Sequence, residues 1–159
     1  MSSTVSLQVL SVVLAAATFA FSAPAAAEEA QMECFDALVS ARIVRQVPSE
    51  MPDCGEGCIV MQWPWFLDLR VRRVLEGEAQ RGNLTVLSLQ HSDYRSDLGT
   101  RRWWLRRNSQ GGFNLLRRNP DDRPPRCAPG SPPAPAYIRP SASRTLADYR
   151  REAEAALRD

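Results

Sequence analysis

The chain predicts a mainly β domain: a small antiparallel barrel, then a proline-rich coil and one C-terminal helix. Three observations predict it. Short stretches in which apolar and polar residues alternate recur between Ala37 and Arg118, bounded by Gly, Pro, Asn or Asp. Eight of the twelve prolines fall between Asn119 and Pro140, a density that bars regular hydrogen-bonded structure there. Thr145-Leu146-Ala147-Asp148 then reads as a helix cap, ahead of a stripe of Leu146, Tyr149, Ala153 and Leu157.

From Ala37 to Val47, Val39, Ala41 and Ile43 alternate with Ser40 and Arg42, the period of a strand with one wet face. Pro48 to Gly57 is a loop, marked by Pro48, Pro52, Asp53 and its glycines. Ile59 to Trp63 predicts a short strand interrupted by Pro64, which resumes from Trp65 to Leu75 with Leu67, Leu69 and Val71 on one face. The alternation slips at Arg72-Arg73-Val74, which predicts a bulge or a sharp bend. Glu76-Gly77-Glu78 and Arg81-Gly82-Asn83 bracket a turn before a strand over Leu84 to Leu89. His91 to Thr100 is polar and reads as a loop. Arg102 to Arg107 and Gly112 to Arg118 form a hairpin around Asn108-Ser109-Gln110-Gly111. The terminal helix runs through Arg158.

Three phrases carry a family likeness. Ala37…Ala41-Arg42-Ile43-Val44, Leu69-Arg70-Val71-Arg72-Arg73-Val74-Leu75-Glu76-Gly77 and Gly82-Asn83-Leu84-Thr85-Val86 together resemble the netrin-module and metalloproteinase-inhibitor-like group of OB-fold barrels, over residues 35–90. The resemblance implies an OB-like barrel. Ala41 stands where that group has Gly, and Glu76 where it has Lys. In the inhibitors an N-terminal cysteine binds the protease zinc through its free amine. Cys34 lies inside the expected mature chain, so that activity is not carried over.

Val9 to Phe21 is apolar apart from Ser11 and Thr18, short of the about 20 residues a spanning helix needs. Small residues at Ala25 and Ala27, just before Glu28, place a cleavage site after Ala27. The expected organisation is a signal peptide over 1–27, a barrel domain over 28–118, a coil over 119–140 and a helical segment over 141–159 packed on or beside the barrel. The product is periplasmic or secreted, with no membrane anchor after cleavage. Exported thiols meet oxidising conditions, so Cys34, Cys54, Cys58 and Cys127 imply two disulfides. Three connectivities are open. The two glycines of Cys54-Gly55-Glu56-Gly57-Cys58 suit a tight bridge, which leaves Cys34 for Cys127.

Formal charge is +2, near balance, which gives no general reason to expect nucleic acid as a partner. All 20 basic residues are Arg. Residues 28–56 hold seven acids against Arg42 and Arg45, whereas 57–118 hold eleven arginines against five acids. The simplest account packs the acidic start beside the basic middle; the sharper one is an anion-binding face.

No catalytic constellation emerges. The single histidine stands in His91-Ser92-Asp93, where adjacent loop residues point apart and do not form a converging triad. Cys54, Cys58 and His91, with Met61 or Cys127, offer an alternative reading as a copper or zinc site. Trp63 and Trp65, and Trp103 and Trp104, lie among arginines. Trp103, Trp104, Arg106 and Arg107 are the candidate ligand-binding face, although Trp103 and Leu105 share a strand face, which favours one Trp of each pair as core. The expected function is a non-enzymatic exported binding or structural module of the cell envelope or periplasm, without a cofactor, whose partner is a protein or an anionic glycan of the envelope.

Overall fold

In a computed structural model of the chain, residues 34–94, 96–116 and 123–158 are described; the expected leader over 1–27 lies outside them. The elements are β1 (Ala37–Pro48), β2 (Trp63–Gly77), β3 (Gly82–Gln90), a 3₁₀ turn (Ser96–Leu98), β4 (Arg101–Arg107), β5 (Phe113–Leu115) and α1 (Leu146–Ala156). The strands close into a barrel in the order β1-β2-β3-β5-β4. The expected small β barrel with one C-terminal helix is the architecture observed. Its ladders are antiparallel except for β3 and β5, which meet in parallel at the pair Leu87 and Asn114.

Alternation sets the layers. Ala37, Val39, Ala41, Leu67, Leu69, Val71, Val86, Trp103, Leu105 and Leu115 point inward and form the barrel core. Alanines at 37 and 41 leave room for Trp103, whose indole N–H donates to the Ala41 carbonyl at 2.9 Å. A second cluster lies outside the barrel, where α1 and the coil cover Val47, Phe66 and Leu87 with Ala153, Ala136 and Ile138. A third joins Phe35, Leu38 and Leu116, with Trp104 against them.

The expected slip near Arg72 is real. In the β1–β2 register Ala41 faces Val71 and Ser40 faces Arg73, so Arg72 bulges out, and Leu75 does so two steps later. Gly77 ends β2 at φ +67°, and a Cβ there would lie 1.9 Å from the Asp36 carbonyl oxygen, so no other residue fits.

Two expectations are corrected. Pro64 does not interrupt the strand: β2 runs through it from Trp63, and Ile59 to Met61 lie in the loop before it. The Pro64 carbonyl points beyond the end of β1, accepting from the Ser49 N–H at 3.1 Å. Its missing N–H falls on that same side, past the Pro48–Trp65 pair where the β1 ladder ends. Leu157 caps α1 at 55% exposed instead of extending its buried stripe. The coil is irregular, and Cys127 pins it to Cys34. Its backbone bridges Phe35 at Arg126 and Asn108 at Ala134. The Thr145–Asp148 capping box forms as read.

Both disulfides form, Cys54 with Cys58 and Cys34 with Cys127. Such bonds belong to a non-reducing environment. Among the described residues no helix is long and apolar enough to cross a membrane.

Candidate anion-binding face

The four residues singled out on β4 and its end do not share one accessible face. Trp103 is a core residue, its ring edge-on to Tyr94 at 5.5 Å. Trp104 faces outward but packs on Phe35 at 4.8 Å, with the Arg123 guanidinium 5.9 Å over each ring. Arg106 also faces outward, yet only 1% of its side chain is exposed. It donates to Asp36 at 2.6 Å and to the Pro132 carbonyl. Arg107 alone is open, bonded to Glu78 at 3.1 Å. The cause is the Cys34–Cys127 bond, which fixes residues 34–36 and the coil over this end of β4.

The alternative metal site is not assembled either. Cys54 and Cys58 spend their sulfurs on each other, Cys127 on Cys34, and the His91 Nδ1 lies 3.1 Å from the Met61 carbonyl. Among the described residues no three His, Cys, Asp or Glu side chains are grouped to hold an ion. His91, Ser92 and Asp93 are successive exposed loop residues and do not converge.

The register instead assembles an arginine strip that no single segment of sequence displays. On the outer face of the β4-β1-β2-β3 wall, side chains align in rows across the strands. Trp104, Leu38 and Glu76 form one row; the next holds Arg102, Ser40 and Arg73. Then come Arg42, Arg70 and Asn83, followed by Arg45, Asp68 and Thr85. The two middle rows carry four exposed arginines and no acid. Arg42 stands directly opposite Arg70, a like-charge pairing that strands ordinarily avoid. None of the four has an ion-pair partner among the described residues. Packing the acidic start against the basic middle accounts for Asp36 and Arg106; among the described residues it brings no carboxylate to the four arginines of the strip.

Both edges of the strip are built up. On one side Arg123 pairs with Glu76 at 2.7 Å beside the Phe35–Trp104 stack. On the other, Arg150 of α1 binds Asp68 at 2.6 Å and Glu154 at 2.8 Å, and Arg45 reaches Glu154 at 3.0 Å. Burial alone would raise the Asp68 pKa. The hydrogen bonds from Arg150 and Thr85, with the Arg150 and Arg45 charges, outweigh it and hold the carboxyl below its ordinary value. The arginines on this bank are thus engaged, while those on the floor are not. Where α1 meets β3 and β5 there is also a cleft of about 260 Å³, lined mainly by Phe66, Val86, Leu87, Phe113, Leu146 and Ala147.

No protein-family model, curated protein or solved structure matches this chain.

Proposed function

We propose that the protein is a non-enzymatic binding module of an exported compartment, which grips an anionic glycan of the cell envelope through Arg42, Arg70, Arg73 and Arg102. The observation that carries this reading is the pair of adjacent rows holding four exposed arginines and no carboxylate. Like charges held side by side on a sheet cost stability, and an anionic ligand is what offsets that cost. Guanidinium groups suit carboxylate, sulfate and phosphate because their paired N–H donors match such anions. A single-stranded nucleic acid fits less well, since its recognition takes aromatic platforms and these two rows contain none. The raised banks favour a chain lying along the strip over a flat bilayer. Likeness to the netrin module stays a proposal on its three phrases alone, without the inhibitory activity.

Calorimetric titration with an acidic polysaccharide and with its neutral counterpart tests the reading. The acidic polymer should bind, weakening as salt shortens the screening length from about 8 Å at physiological strength. A variant combining Arg42→Ser, Arg70→Ser, Arg73→Ser and Arg102→Ser should lose the binding, whereas Arg107→Ser should keep it. Equal binding by the fourfold variant, or retention on anionic lipid vesicles with none on any acidic glycan, overturns the assignment.

A further inference from the structure

A second place in the molecule carries unspent recognition chemistry. At the end of the barrel where β2 starts and β3 stops, Trp63 lies opposite Gln90 and Trp65 opposite Ser88. By the alternation that sends Val86 and Leu67 into the core, Trp63, Trp65 and Gln90 point inward. The two indole rings are 5.4 Å apart and tilted by 42°. Gln90 is only 4% exposed, yet neither its Nε2 nor its Oε1 has a protein partner, and the Trp63 and Trp65 Nε1 atoms are buried without one as well. Trp103, in the same barrel, has its indole bonded, and Gln46 uses both ends of its amide on the Tyr94 backbone. Pairing buried polar groups is the rule in proteins, so four orphans at one mouth are an exception that asks for a ligand.

The donors outnumber the acceptors. Two indoles and one carboxamide offer four N–H groups against a single carbonyl oxygen, with aromatic faces beside them. No charged group belongs to the set, so the complement is neutral, rich in acceptor oxygens and apolar on one face. A sugar ring has that chemistry: each hydroxyl accepts twice and donates once, and its C–H face lies on indole. We propose that this mouth binds a neutral saccharide unit, with Gln90 and the two indole N–H groups holding its hydroxyls. The loop rising from the rim is the natural cover. It is anchored by Ser49 on the Pro64 carbonyl and by the His91–Met61 contact, and Met51, Ile59 and Met61 on it are exposed. This site stands apart from the arginine strip and does not depend on it.

Indole N–H resonances of the full chain supply the test, with Trp103 as an internal standard. Neutral mono- and disaccharides are titrated in about 1 M salt, where the screening length of about 3 Å silences the arginine strip. The Trp63 and Trp65 signals should shift and saturate while Trp103 stays still, and Gln90→Leu should abolish the shift without lowering the melting temperature. Gln90→Met serves should the leucine variant fold poorly. The proposal is overturned if no saccharide moves the two signals, if they move equally in the Gln90 variants, or if both variants melt lower, which would give Gln90 a structural partner such as a held water.

Discussion

Arg102 and Arg106 sit on one strand and one face, four residues apart, and meet opposite fates. Arg106 is enclosed by the coil and bonded to Asp36 and Pro132, whereas Arg102 stands exposed beside Ser40 with no acid in its row. Nothing in the strand separates them. What does is the cover laid over one end of it by residues far away in sequence, clamped by a disulfide of separation 93. On β4, Arg106 is therefore a fastening beneath the coil, and Arg102, beyond its reach, is an exposed charge.

The largest perturbation of that difference is to remove the clamp. Replacing Cys34 and Cys127 together by Ala should cost about 4–5 kcal/mol by the chain-entropy estimate, against about 2 kcal/mol for the short Cys54–Cys58 loop. Urea unfolding of the two double variants measures both. A smaller loss at Cys34–Cys127 would mean that the coil holds its place unaided. Next comes Arg106→Met, which leaves the partly buried Asp36 to the Arg107 backbone N–H at 2.7 Å and should cost about 3 kcal/mol, the low end for a broken buried pair.

Acid and alkali probe the engaged groups more gently. Because the Asp68 pKa is lower in the fold than its ordinary 3.8, its contribution is complete above that value and fades as pH falls through the folded pKa. Asp68→Asn should forfeit this stability at neutral pH and flatten the acid limb of a melting-temperature profile. The Tyr137 hydroxyl donates to the Leu115 carbonyl at 3.2 Å, and burial, with a smaller push from Tyr94, lifts its pKa to about 12. Its contribution holds up to pH 10 and drains away toward pH 12, a loss that Tyr137→Phe should remove. Smallest of all, Arg42→Ser or Arg70→Ser should move stability by no more than about 0.5 kcal/mol, upward if anything, because each relieves a facing like charge. A large loss at either position would return the strip to the class of fastenings.

Much of the architecture was legible because its signals are local. The wet–dry alternation of β1, the phase slip at Arg72, the Asn108–Gly111 turn and the Thr145–Asp148 cap each depend on a few neighbouring residues. The strip was not legible in the same way. Arg42, Arg70, Arg73 and Arg102 come from three strands, and bulges at Val44, Arg72 and Leu75 set which of them align. The RWWLRR segment stands out by composition, while the exposure of Trp104 and Arg106 is decided by Phe35, Asp36 and the coil after residue 122. Counting only wet-face positions on β1 and β2 would have nominated Arg42 and Arg70. Pro64 misled for a similar reason, since a proline breaks a strand only where its missing N–H faces a partner.

The parallel meeting of β3 and β5 carries a consequence of its own. A single residue pair, Leu87 with Asn114, is all the ladder at that point of the ring. Asn114 is wholly buried and is stitched by its amide to the Pro135 carbonyl at 2.7 Å, to Asn108 at 3.1 Å and to the Tyr137 N–H at 3.4 Å. Four sides of the barrel are zipped, and the fifth is sewn shut by thread from the coil. A chain cut at residue 122 would retain every strand and still lack the stitching, so the tail is a wall of the barrel and not an appendage to it.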